Sequence, residues 1–150
     1  MIGFDITEHV KEDGIQGGVV ASIDFTWDKR KIKGWEQKFI QGILDMGFDI
    51  RNKAVGKAPY VTGALRNSIR VDHTQAFNNG IVEVIAGGIS APMDSRDRRY
   101  TFKGRRFVDY AWKREKGPNR NAATEHYMEN SLNEVMSGNW EQKYFGGVTK

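Results

Sequence analysis

The chain has 150 residues, 39% of them hydrophobic, and a net charge of +4; at that length roughly 70% of the surface exposed on unfolding is buried, which suits one core and no second domain. The lack of any cysteine excludes disulfide staples, zinc knuckles and cysteine nucleophiles, and is compatible with assembly in a reducing cytoplasm. Asp5, Glu8, Lys11, Glu12 and Asp13 argue against a signal peptide, and Glu83 interrupts the most apolar later stretch, Ile81 to Ile89, so no membrane span or membrane partner is expected.

Residues 1–18 mix these charges with Gly14, Gly17 and Gly18 and show no sustained period, which reads as a flexible N-terminal arm. From there, Val19, Ala21, Ile23, Phe25 and Trp27 alternate with Val20, Ser22, Asp24 and Thr26, the period of a strand with one buried face. After Asp28, a candidate N-cap, apolar residues recur at Ile32, Trp35, Phe39, Ile43, Met46, Ile50, Ala54 and Ala58. Steps of three and four predict one long amphipathic helix, which Pro59 stops because the residue before a proline avoids the helical region. Gly34, Gly42, Gly47 and Gly56 each cost about 1 kcal/mol relative to alanine inside a helix, so close packing is expected to use the missing side chains.

Ser68 to Thr74 and Ile81 to Gly87 read as two antiparallel strands joined through Phe77-Asn78-Asn79-Gly80, where Asn-Gly tolerates positive φ. Gly87-Gly88 and Pro92 open a long polar connection, and Arg106 to Arg114 reads as a further strand. Ala122 to Met136 is periodic, with Tyr127, Met128, Ser131, Leu132 and Val135 on one face and Gly138 as its stop. The expected fold is α+β, a small antiparallel sheet with the long helix and a C-terminal helix packed on one face. A single domain over residues 19–138 is expected, followed by a C-terminal tail over 139–150.

Two stretches stand out chemically. Between Asp94 and Arg106 lie Arg96, Arg98, Arg99, Lys103, Arg105 and Arg106 against Asp94 and Asp97, an excess equal to that of the whole chain. Tyr100, Phe102 and Phe107 interleave with them, as in a nucleic-acid contact, although a solvated loop or a site for acidic protein surfaces would look the same. The second stretch is Pro59-Tyr60-Val61-Thr62-Gly63-Ala64-Leu65-Arg66-Asn67-Ser68-Ile69. Thr62 can cap a turn with its hydroxyl, Gly63 permits a tight bend, and Leu65 and Ile69 at i and i+4 anchor it, so the segment reads first as a corner between helix and sheet. Glu115, among Lys113, Arg114 and Lys116, and the pair Asp94 and Asp97 read as solvated ion pairs rather than catalytic acids. His9, His73 and His126 have no metal-ligand spacing, and neither a catalytic residue nor a cofactor or metal site is expected.

The corner resembles a signature of the tail-completion proteins of long-tailed bacteriophages, minor virion components in which Pro-x-x-Thr-Gly-x-Leu-Arg-x-Ser-Ile follows a long amphipathic helix. Pro59, Thr62, Gly63, Leu65, Arg66, Ser68 and Ile69 match every fixed position, with Val61 where the family commonly has Asp. A second signature, Tyr-Ala-x-x-x-Glu-x-Gly, is matched by Tyr110, Ala111, Glu115 and Gly117, and His126-Tyr127-Met128 stands where the family begins its last helix with Pro-Phe-Leu. The resemblance covers about Ile32 to Met136. It implies a non-enzymatic adaptor at the neck of the virion, assembled in the bacterial host cytoplasm. Such a protein forms a ring with copies of itself, six-fold in the family, and meets the head connector or head-closure protein and the tail-tube or tail-terminator protein, with channel DNA as a further contact. The alternative from composition is a free-standing basic DNA-binding protein, although no helix-turn-helix, zinc or basic-zipper motif accompanies the charge.

Overall fold

The computed structural model describes residues 5–13, 17–27, 30, 33–60, 63–88, 101–102, 105–106 and 110–146. Four strands, β1 (Asp5–Asp13), β2 (Gly18–Thr26), β3 (Arg70–Asp72) and β4 (Ile81–Ala86), form one antiparallel sheet in the order β1-β2-β4-β3. Helix α1 (Glu36–Lys57) and the later helices α4 (Ala111–Lys116), α5 (Tyr127–Met136) and α6 (Trp140–Phe145) supply the other layer, and the fold is α+β as the sequence pattern predicts. Two short helices, α2 (Ala64–Ser68) and α3 (Ala76–Asn79), sit in the connections, and β5 (Thr101–Phe102) pairs with β6 (Arg105–Arg106) as a separate ribbon. Among the described residues no helix is long and apolar enough to cross a membrane.

The central strand β2 buries Val19, Ala21, Ile23 and Phe25 as its alternation predicts, in register with Ala86, Val84 and Val82 of β4. Val20 and Ser22 on the other face are buried as well. A central strand is screened by side chains of both neighbours, so period two marks its better-covered face without leaving the other to water. The reading of residues 1–18 as an arm is corrected. Asp5–Asp13 is a nine-residue edge strand, pairing Ile6 with Phe25 and Val10 with Ala21. Its apolar residues are few because an edge strand is half exposed, and exposed Glu8, Lys11 and Glu12 blur the alternation.

Helix α1 begins at Glu36, later than the Asp28 cap implies; Asp28 and Ile32 lie outside the described residues. Gly34 at φ +89 makes the turn into it, and its N–H donates to Glu36 Oε2 at 2.8 Å. The expected stripe is buried from Phe39 through Ile43, Met46 and Ile50 to Ala54, and Ala58, with ψ 147 before Pro59, ends the helix where expected. Two of its glycines have a tertiary use. A Cβ on Gly42 would stand 2.5 Å from both the Phe145 ring and the Tyr144 carbonyl, and one on Gly47 would stand 2.7 Å from Val82, whereas Gly56 faces open space.

The contact at Gly42 is where the C-terminal tail reading fails. Trp140–Phe145 is helix α6, and Phe145 is fully buried, 5.3 Å from the Phe39 ring centroid and 5.6 Å from that of Phe25. Burying such a ring is worth roughly 1.5–3 kcal/mol, which offsets the poor stability of a six-residue helix on its own. The hairpin is shorter than its sequence suggests. Ser68 closes α2, Arg70–Asp72 pairs with residues 83–85 of β4, and the link is the helical turn α3 ended by Gly80 at φ +68. The strand read over Arg106 to Arg114 is also corrected: among the described residues Arg105 and Arg106 are extended, and Ala111–Lys116 is helical, with Ala111 and Glu115, four apart, on its buried face. On α5 the five residues expected on the inner face, Tyr127, Met128, Ser131, Leu132 and Val135, are the buried ones.

Candidate functional site

The corner after α1 is built by its backbone. Gly63 has φ +88 and ψ −7, a conformation L side chains rarely adopt, and its carbonyl accepts the Asn67 N–H at 2.9 Å to open α2. Leu65 and Ile69 are each 2% exposed and pin the turn to the core. Buried Ser68 donates from Oγ to the Leu65 carbonyl at 2.6 Å and accepts the Gly87 N–H at 2.9 Å, tying the corner to the end of β4. Thr62 lies outside the described residues. Gly63→Val is therefore expected to destabilise the fold by about 1–3 kcal/mol, because a β-branched residue is forced to positive φ. Chemical denaturation checks this, and a wild-type midpoint in the variant would show that the corner relaxes freely.

Arg66 behaves differently from its neighbours. Its Nε donates to the Ala58 carbonyl at 3.0 Å, satisfying the end of α1, and its guanidinium carbon lies 5.2 Å from the centroid of the Tyr60 ring. Arg66 is half-buried, and Tyr60 is 61% exposed.

The second signature forms a buried knot between α4 and α5. Tyr127 donates its hydroxyl to the Ala111 carbonyl at 2.8 Å, and the His126 N–H reaches the Glu115 carbonyl at 2.8 Å. Glu115, 3% exposed, accepts the Met128 N–H on Oε1 at 2.7 Å and the Glu129 N–H on Oε2 at 3.3 Å. It serves as the N-cap that α5 lacks locally, since His126, at φ 56, makes no side-chain cap bond. The reading of Glu115 as a solvated ion pair is thus corrected. Burial pushes its carboxyl above the ordinary glutamate range, and the two N–H groups oppose that shift without cancelling it. Burial likewise holds the Tyr127 phenol well above its usual value. Gly117, at φ +76, has no room for a side chain, since a Cβ would lie 2.6 Å from the Glu125 carboxyl carbon.

Glu115, His126 and Glu129 bring three ligand-type atoms within 4.8 Å of one another, a convergence that the scattered histidines do not suggest. The Glu115 oxygens already serve the first N–H groups of α5, whose positive end repels a cation. A capping role accounts for the cluster.

The corner and the end of α4 meet at the surface. Pro59, Tyr60 and Arg66 from the corner and Arg114, Asn119, Arg120, Asn121 and Thr124 from the end of α4 and the loop after it line one groove of about 610 Å³. The loop wall is held by Asn119, whose Nδ2 donates to the Arg114 carbonyl at 2.8 Å and to Thr124 Oγ1 at 3.2 Å, while its N–H donates to Glu125 Oε2 at 2.8 Å. Among the described residues, three arginines and no carboxylate make up its charge. Sequence reasoning finds Arg66 through its signature and misses Tyr60, Arg114 and Arg120 as site residues, because nothing in the chain order says that these segments adjoin. Of the basic run, Arg96, Arg98, Arg99 and Lys103 lie outside the described residues, as do the side chains of Arg105 and Arg106, so the run is not placed at this groove. Comparison with protein-family models, curated proteins and solved structures finds no significant match to the chain.

Proposed function

We propose that this chain is a structural, non-catalytic subunit of a tailed-bacteriophage virion, a tail-completion adaptor that closes as a ring at the neck and joins tail to head. The observation that supports it best is that the two signatures flank one surface groove, the first contributing Pro59 and Arg66 to its lining and the second enclosing Arg114 between its fixed positions Ala111 and Glu115. Their buried members, Gly63, Leu65, Ser68, Ile69, Ala111 and Glu115, are spent on turns, caps and core anchoring, while Arg66 and Arg114 line the groove. A scaffold that holds a surface patch rigid suits repeated heterologous contacts between identical subunits, which close when the rotation between neighbours divides the circle. On this reading the subunit meets copies of itself, the head connector or head-closure protein, and the tail-tube or tail-terminator protein, with channel DNA facing the basic run.

Electron microscopy separates this from the reading as a free-standing basic DNA-binding protein. Rings of the purified protein, together with DNA-filled heads and detached tails when particles assemble without it, are the expected result. Intact joined particles in its absence would overturn the proposal, as would a monomer whose only partner is DNA.

A further inference from the structure

The groove between the corner and the loop after α4 has a charge pattern that folding alone does not require. Where this chain neutralises surface cations it does so locally: Lys53 and Lys57, on the last turns of α1, both reach Glu134 of α5, at 3.1 and 2.8 Å. In the groove, by contrast, none of the guanidinium groups of Arg66, Arg114 and Arg120 is in an ion pair among the described residues. Clustered like charges repel, and an anionic partner would relieve that repulsion.

We propose that this groove is a docking site for an acidic polypeptide segment of a partner protein, whose carboxylates pair with Arg66, Arg114 and Arg120. The proposal stands apart from the virion reading. Guanidinium groups present planar forks that bind carboxylates bidentately. Arg66 is oriented in advance by the Ala58 carbonyl and Tyr60, and the opposite wall by the bonds of Asn119, which lowers the entropy lost on binding. Pro59 and exposed Tyr60 offer an apolar edge for the peptide's own side chains. The concave form favours a polypeptide segment over duplex DNA, whose phosphates lie on a convex cylinder that meets a groove of this size only at its rim.

The test uses the full chain and a fluorescein-labelled decapeptide alternating glutamate and leucine, followed by anisotropy at rising salt. Arg114→Gln with Arg120→Gln removes two charges that have no structural bond to lose and is expected to weaken the peptide about tenfold, with an unchanged melting temperature. Should that pair fail to fold, Arg120→Glu alone, on an exposed side chain, should show the same loss. Neutralising Arg96, Arg98 and Arg99 should change peptide affinity far less than the groove substitutions do. Absence of peptide binding by the wild-type chain, or unchanged affinity in the groove variants, overturns the proposal. So does a loss of duplex DNA affinity in those variants as large as the loss for peptide, which would make the groove a nucleic-acid site.

Discussion

Ile43→Asp is expected to abolish the cooperative fold. Ile43 is fully buried midway along the α1 stripe, between Phe39 and Met46 and Ile50, in the one core shared by sheet and helices. Removing the aliphatic side chain costs about 2–5 kcal/mol by itself. The carboxyl that replaces it must either stay ionised without a partner or take up a proton, and both cost several kcal/mol more. The sum is comparable with the roughly 5–15 kcal/mol that holds a domain together. Gln37→Asp is the control, an exposed site in the first turn of the same helix where a negative charge is favourable. Circular dichroism melting and gel filtration should show the control native and Ile43→Asp unfolded or aggregated. A soluble variant with a cooperative melt would mean that this stripe is not the buried one.

The second large effect is expected at Glu115. Glu115→Ala leaves the buried Met128 N–H and the Glu129 N–H without their acceptor and removes the carboxylate that caps α5. Unsatisfied donors cost about 1–3 kcal/mol each and a lost cap about 0.5–2, with partial overlap, so a loss of about 2–4 kcal/mol is expected. Glu115→Gln keeps one acceptor and should lose less. The wild type and Glu115→Gln also differ in pH dependence. Because burial raises the carboxyl above its ordinary value near 4.5 in the folded state, folded protein holds the proton more tightly than unfolded chain does. That contribution to stability is complete below pH 4.5 and is lost as pH rises through the raised value. The wild type should therefore exceed Glu115→Gln by more at pH 4 than at pH 7, measured by denaturant unfolding at both. A margin that widens toward neutral pH would show that the two N–H bonds outweigh burial and that the shift runs the other way.

Several features were legible in the chain because they depend on neighbours in sequence. The three-four spacing of Phe39, Ile43, Met46 and Ile50 and that of Met128, Leu132 and Val135 marked the faces that are buried. Pro59 marked the end of α1, and Asn79-Gly80 the positive φ before β4, because ring closure and the absence of a Cβ act on the backbone locally. Those signals sufficed for an α+β fold with helices on an antiparallel sheet.

The rest was decided by partners far away in the chain. Asp5–Asp13 is a strand because β2 offers nine residues to pair with, and its own charges hid the alternation. Trp140–Phe145 is a docked helix because Gly42 leaves room for it, a fact held by a residue about two thirds of the chain's length away. Glu115, surrounded by lysine and arginine in sequence, is buried because tertiary packing carries the first turn of α5 to it and supplies two N–H groups that a lone carboxylate could not find locally. The groove follows the same rule: Arg66 and Arg114 line one concavity although the hairpin and the basic connection separate them in sequence. Local sequence encodes conformation and burial at short range, whereas burial of charge and convergence of cations depend on which surfaces the folded chain brings together.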